Sequence, residues 1–256
     1  MIMNKKFTIL TAAYNSGRYI EEWANSILEQ RYRPLEVICV EDKSTDNTLK
    51  ELKKVGKKFK NKNIEFKLIQ QDKKLHCGSA YNLAFKNATG EYFGILDSDD
   101  ALEPFACKYI VGVYEKFQNV AWIYTQYNKY NRRMDRVMKK GFCKYPGKNE
   151  TILSMEKKHI NTYGHWRTFS NRIISNKNLF GKGLKCCIDK HLGFRLEELG
   201  TGMFVNKVCY RYRTRSKGED SIVHAYPLKR IRAEVVKKAE KRRKKNNTYP
   251  VLKFKK

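Results

Sequence analysis

Short apolar runs alternate, through the first half of the chain, with stretches whose apolar positions recur at helical spacing, and several runs end in a polar or acidic cluster. Phe7 to Ala12 predicts a strand, and after Asn15 and Ser16 the residues Tyr19, Ile20, Trp23, Ile27 and Leu28 share one helical face. Leu35 to Val40 predicts a second strand, with Ser44, Thr45 and Asp46 as capping candidates for a helix that would bury Leu49, Leu52, Val55 and Phe59. The unit repeats as a strand from Ile64 to Ile69, a short helix at Ala80, Leu83 and Ala84, a strand from Tyr92 to Leu96, and a helix from Pro104 to Phe117. Strands joined in this way require a mostly parallel sheet covered by helices on both faces. Ligands of such sheets sit beyond the carboxyl ends of the strands. Ala13-Tyr14-Asn15, Glu41-Asp42 and Asp97 to Asp100 all fall there.

From about Asn128 the pattern loosens into a polar, aromatic and basic stretch punctuated by glycines, which suggests a lid or acceptor region. A helix at Leu192 to Leu199 and a strand from Phe204 to Tyr212 are expected within it. Beyond it, Leu228, Ile231, Val235 and Ala239 mark one side of a basic helix. The expected organisation is a nucleotide-binding half at 1–125, an acceptor-binding half of the same domain at 126–227, and a basic helical tail at 228–256.

Charge sharpens this picture. The 256 residues carry a net charge of +28, of which the segment from Leu228 onward supplies 11, with 13 Lys and Arg against Glu234 and Glu240. Such a field attracts nucleic acid, acidic lipid or polyanionic glycan, although a lysine-rich composition alone would produce the same total. Seven cysteines without any Cys-x-x-Cys spacing match neither a disulfide nor a zinc framework, so free thiols in a reducing compartment are expected, the adjacent Cys186 and Cys187 included. No apolar run approaches the roughly 20 residues that span a bilayer. The N-terminal Met-Ile-Met-Asn-Lys-Lys-Phe shows no cleavage site. A cytoplasmic protein is expected, at most peripheral to the inner membrane face.

The chemistry lies in the strand-end clusters. Asp97 and Asp99, one residue apart, can present carboxylates to one hard divalent cation and to a sugar nucleotide. An acid-rich turn alone is weak evidence, because such turns are common. Here the chain reads Phe-Thr-Ile-Leu-Thr-Ala-Ala-Tyr-Asn from Phe7, Val-Ile-Cys-Val-Glu-Asp-Lys-Ser-Thr-Asp-Asn-Thr from Val37, and Gly-Glu-Tyr-Phe-Gly-Ile-Leu-Asp-Ser-Asp-Asp from Gly90. In order and spacing these segments resemble the family 2 glycosyltransferases of the GT-A fold, over roughly residues 7 to 125.

That resemblance implies a Rossmann-like α/β fold and an inverting, non-processive transfer of a hexosyl or pentosyl unit from a nucleoside-diphosphate sugar, with a UDP-sugar the expected donor. It implies that Tyr14 flanks the base, Asp42 hydrogen-bonds it, Asp97 meets the ribose, and Asp99 binds Mn²⁺ or Mg²⁺ bridging the diphosphate, with Asp97 as a further metal candidate. Ala12, Ser98 and Asn82 would complete the donor site. Ala12 stands where many members have proline, and Tyr81 where many have the arginine preceding Asn82, so Lys73 or Lys74 is the substitute expected at the phosphates. Ile188-Asp189 resembles the family's Glu-Asp motif with its first acid replaced. Asp189 would then be the general base, since a carboxylate can take the acceptor hydroxyl's proton as that oxygen attacks the anomeric carbon. The alternative is an N-cap for the following helix.

Tyr212-Arg213-Thr214-Arg215 resembles the family's Tyr-Arg-x-His element, with Arg215 in place of the histidine. Arg213 and Arg215 are therefore expected beside the leaving diphosphate. The Gln-x-x-Arg-Trp element of processive synthases is missing, so one transfer per encounter is expected. At His165-Trp166-Arg167, Trp166 either stacks an acceptor beside Arg167 or anchors the core. Two acceptors fit these features. DNA carrying a hydroxymethylated pyrimidine would use Lys241, Arg242 and Arg243 against its phosphates. A lipid-linked or polysaccharide acceptor would place the basic helix on an anionic membrane surface. The charge tips the expectation to DNA. A non-catalytic binding module is disfavoured by the presence of Asp97, Asp99 and Asp189 together.

Overall fold

In the computed structural model, residues 5–147, 149–160, 162–173, 179–215 and 226–246 are described. Residues 1–4, 216–225 and 247–256, which include the expected N-terminal segment and the end of the tail, lie outside the described residues. The parallel core consists of β1 (Phe7–Ala13), β2 (Leu35–Glu41), β3 (Ile64–Gln70) and β4 (Tyr92–Ile95), in the order β3-β2-β1-β4. β1 pairs Phe7 with Leu35 on one side and Phe7 with Tyr92 on the other. Every residue of β2 is buried. A strand covered on both faces leaves no room for an unpaired charge, and Glu36 meets that condition by accepting the Thr8 hydroxyl at 2.5 Å and the Thr89 amide at 2.8 Å.

Helices cover this core as the periodicity predicts. α1 (Ile20–Leu28) buries Ile20, Trp23 and Ile27, and α2 (Thr48–Lys60) buries Leu52, Val55 and Phe59. Asp46 stands one residue ahead of the N-cap Asn47, and its carboxylate accepts the Thr48 amide at 3.0 Å. α3 (Cys77–Lys86) follows β3, and α4 (Ala106–Lys116) begins two residues after Pro104.

The second half is more ordered than its sequence suggests. β5 (Ala101–Leu102), β6 (Trp122–Tyr130), β7 (Val137–Lys140), β8 (Arg167–Ser170) and β9 (Gly202–Arg213) extend the same sheet to nine strands, continuing β4-β8-β6-β9-β5 with β7 on β6. The boundary expected at 125/126 therefore falls inside β6. β8 runs antiparallel to β4, and its neighbour Trp166 is fully buried with its ring 5.5 Å from that of Phe7, tilted by 35°. A Cβ at Gly94 would come within 2.4 Å of the Trp166 ring, so β4 must carry a glycine there. α5 (Ile152–Lys157) and α6 (Ile188–Leu199) complete this half.

The basic helix, α7 (Leu228–Asn246), buries Val235 and Ala239 against the protein, as its periodicity predicts. Its cations are not all offered to solvent. Arg243 pairs with Glu197 at 2.8 Å, Arg242 with Glu198 at 2.9 Å, and Arg232 with Glu156. Glu197 also accepts the Ile152 amide at 2.5 Å, tying α5, α6 and α7 to one carboxylate. Burial pushes the Glu197 carboxyl up and Arg243 pulls it back down. None of the described helices is long and apolar enough to cross a membrane.

Removing one partner of a buried pair strands the other charge, at a cost of about 3 kcal/mol or more. Arg243→Ala is expected to lower Tm by roughly 6 °C or more, whereas the exposed Lys241→Ala is expected to stay within about 0.5 kcal/mol of the parent. Thermal and urea unfolding of both variants checks this, and equal effects would mean that the helix is not docked through Glu197.

Candidate active site

The acidic turn after β4 is held by β9, the strand with which the following β5 pairs. Asp100 is buried, and its carboxylate accepts the Arg213 amide at 2.7 Å and the Tyr210 hydroxyl at 2.8 Å, both from β9. The Asp97 amide in turn donates to the Tyr210 oxygen at 3.3 Å. Burial drives the Asp100 carboxyl well above the ordinary carboxylate range, and the charges of Asp99 and Asp97 add to that rise. The acid that the sequence reading left without a role is thus the one that fixes the turn.

Asp97 accepts a hydrogen bond from the Tyr81 hydroxyl at 2.5 Å, and the Arg167 guanidinium lies 3.8 Å from its other oxygen. Tyr81 is itself buried and stacks on Phe180 with ring centroids 5.2 Å apart. Asp99 receives Arg215, whose Nε and terminal nitrogen both reach Oδ2 at 2.7 Å. Burial raises the Asp99 carboxyl and Arg215 opposes the rise. Arg213 uses three of its five N–H donors, at the Asp99 carbonyl (2.5 Å), at Glu22 (2.6 Å) and at the Arg132 carbonyl, with its guanidinium 4.7 Å from the Tyr19 ring centroid. It braces the turn, and those donors are not free for a diphosphate.

At the ends of β1 and β2, Tyr14 is half-buried with the Lys74 ammonium 3.3 Å from its ring centroid. Asp42 accepts the Leu75 amide at 2.5 Å, and burial raises its carboxyl against that hydrogen bond. Ser98 is joined to Ser16 at 2.7 Å between hydroxyls. Ala12, Tyr14, Asp42, Lys74, Tyr81, Asp97, Ser98, Asp99, Arg213 and Arg215 line one cavity of about 260 Å³. Lys74 is among its walls and Lys73 is not, so of the two expected phosphate contacts only Lys74 faces it.

A second cavity, of about 670 Å³, adjoins the first, and Cys77, Tyr81, Asp97, Lys185 and Tyr212 line both. Asp189 lies in its wall together with Arg167, Lys190 and Leu192. Asp189 occupies the first turn of α6 and not its cap, since Cys187 is the N-cap residue. The capping alternative therefore does not describe it.

Several expected site residues are elsewhere. Trp166 is fully buried against the sheet, where no acceptor can stack on it. Arg167 is almost as buried, yet its guanidinium reaches the second cavity. Asn82 turns its carbonyl to the Phe180 amide at 3.0 Å and lines neither cavity. Arg242 and Arg243 are spent on Glu198 and Glu197, which leaves Lys241 exposed from that trio.

The chemistry of the donor set decides whether a divalent metal fits. Asp97 and Asp99 supply two hard oxygen ligands at one turn, and among the described residues no three His, Cys, Asp or Glu side chains converge. Two carboxylates suit a Mg²⁺- or Mn²⁺-type ion that takes its remaining ligands from phosphate and water. They do not suit a metal held by protein alone.

The family model for glycosyl transferase family 2 matches residues 8–178. Chondroitin synthase of Escherichia coli is 33% identical over 204 residues, covering 79% of this chain and 28% of that protein. Hyaluronan synthase of Pasteurella multocida is 31% identical over 204 residues, covering 79% and 20% respectively. The chain therefore spans less than a third of the length of either relative. Among solved structures, S. aureus TarS 1-349 in complex with UDP-GlcNAc aligns with a TM-score of 0.68 at 23% identity, over 86% of this chain and 61% of that one. Mannosyltransferase PcManGT from Pyrobaculum calidifontis, in complex with GDP-Man and Mn²⁺, aligns with a TM-score of 0.61 at 18% identity, over 85% and 59%. With more than half of its length matched by the family model and its parallel core and acidic turn arranged as above, this chain belongs to glycosyl transferase family 2 and has the GT-A fold.

Proposed function

We propose that the protein is an inverting glycosyltransferase that moves a sugar from a nucleoside-diphosphate sugar to a hydroxyl of a glycan. The observation that carries this reading is the shared wall: Asp97 and Tyr81 line both cavities, with Tyr14 and Asp42 on one side and Asp189 on the other. A donor seated over Tyr14 and Asp42 would direct its sugar toward that wall, and an acceptor in the larger cavity would present its hydroxyl to Asp189. The acceptor oxygen then attacks the anomeric carbon as its proton passes to an Asp189 oxygen. The bond from that carbon to the diphosphate breaks, and its electron pair leaves on the diphosphate oxygen.

Asp99 and Asp97 would hold a divalent ion, which when bound would offset the charge of the diphosphate. Arg215 (paired with Asp99), Lys74 (over Tyr14) and Lys185 are cations lining the cavity where that charge would develop.

A glycan is favoured over hydroxymethylated DNA for two reasons. The curated relatives named above are polysaccharide synthases. Two of the three cations expected against DNA phosphates are already paired within the protein. The deciding experiment incubates the protein with Mn²⁺, a panel of nucleoside-diphosphate sugars, and either glycan acceptors or hydroxymethylated duplex DNA, and reads added mass. Glycan products with inverted anomeric configuration are expected. Transfer to DNA alone would overturn the acceptor, and failure to consume any donor would overturn the reaction.

Asp189→Asn is expected to retain donor affinity and to lower turnover by roughly 10²-fold or more. A parallel loss of donor binding in calorimetry would assign Asp189 a structural role instead. Tyr81→Phe keeps the ring on Phe180 but removes the hydroxyl that holds Asp97, so UDP affinity is expected to fall about tenfold, or about 1.4 kcal/mol. Unchanged affinity would detach Tyr81 from the donor site.

A further inference from the structure

The larger cavity has an unequal balance of charge. Arg167, Lys185, Lys190, Lys229 and Arg232 line it against the carboxylates of Asp97 and Asp189. Some of this charge is answered from within: Arg167 lies near Asp97, while Lys190 and Arg232 converge on the buried Glu156, Lys190 at 3.2 Å. Lys185 and Lys229 are exposed; Lys185 lines both cavities, with its ammonium 5.2 Å from the Tyr226 ring centroid, and Lys229 lines the larger one alone. Even with Glu156 included, cations outnumber carboxylates. Phe180, Leu192 and Leu228 supply apolar wall on which the faces of sugar rings can rest.

Two of these cations come from α7, the segment whose sequence suggested a free polyanion-binding tail. Its later turns are fixed to α6 by Arg242 and Arg243, and its first turns thereby bring Leu228, Lys229 and Arg232 to the cavity. The helix is wall, not tail.

We infer that the glycan acceptor is anionic, carrying a carboxylate or phosphate group that binds between Lys229 and Lys185 while its hydroxyl faces Asp189. This rests on the assignment of the larger cavity to the acceptor. An anionic acceptor approaches two further sources of negative charge, Asp189 and the donor diphosphate, so a cationic wall is what allows all three to converge. A neutral glycan would gain nothing from the charge of Lys229.

The test measures binding to the intact protein, in the presence of UDP and Mn²⁺, of three probes: a neutral N-acetylglucosamine tetramer, the same tetramer oxidised to a terminal uronate, and the same tetramer bearing a terminal phosphate. At least one anionic probe is expected to bind tenfold or more tighter than the neutral one, with a preference that shrinks between 50 and 500 mM salt. The tighter of the two identifies the anion as carboxylate or phosphate. Lys229→Gln is expected to weaken the anionic probe roughly fivefold and to leave the neutral probe unchanged. Equal affinity for all three, or an equal loss for charged and neutral probes in the variant, overturns the inference. Consumption of a nucleoside-diphosphate sugar by the parent protein is recorded alongside. A protein that consumes donor but shows no preference for charge refutes only the anionic acceptor, whereas one that consumes no donor refutes the proposed reaction.

Discussion

Asp100, buried at the end of β4, gives one carboxylate oxygen to the Tyr210 hydroxyl and the other to the Arg213 amide, so that the last residues of β9 close over the acidic turn. An isolated buried carboxylate would be costly, and here the two hydrogen bonds offset part of that cost. What depends on it is the direction of its neighbours. With Asp100 turned inward, Asp97 and Asp99 flank the cavity, and Arg213 and Arg215 follow from the same strand to meet the Asp99 carbonyl and carboxylate.

The same economy governs the positive charge. A net charge of +28 suggests a surface held out to polyanions, yet many of the arginines are used to join elements. Arg213 links β9 to α1 through Glu22, and Arg232, Arg242 and Arg243 lock α7 onto the acids of α5 and α6. Arginine suits this work because its planar fork can satisfy carboxylate oxygens with more than one donor, as Arg242 does with Glu198. The lysines of α7 are left mostly in water, among them the one that lines the larger cavity.

Cys77, Tyr81, Asp97, Lys185 and Tyr212 line both cavities. Tyr81 occupies the place where the resemblance leads one to expect an arginine, and its hydroxyl fixes Asp97 from the side opposite Arg167. A hydrogen-bond donor without charge orients the carboxylate and leaves its negative charge largely in place. Lys74, held over Tyr14, provides a cation at the donor cavity from a different loop.

Sequence alone determined the parallel core. Strands buried on both faces are largely apolar, their helices carry one apolar stripe, and both patterns can be read in the first 125 positions. It also determined which strand ends carry Tyr14, Asp42, Asp97 and Asp99, because a parallel sheet puts all such ends on one edge. Three things required the tertiary structure. β6, β8 and β9 are mixed in direction and pair across long stretches of chain, and local periodicity does not encode such pairing. Trp166 and Asn82 carry functional-looking residue types, but the first is buried beside Phe7 and the second holds the Phe180 amide. The role of the basic helix depended on acids about 40 to 80 positions away in sequence, and only folding brings Glu156, Glu197 and Glu198 to Arg232, Arg243 and Arg242. Composition records how much charge a chain has; its partners are fixed by the distances that folding sets.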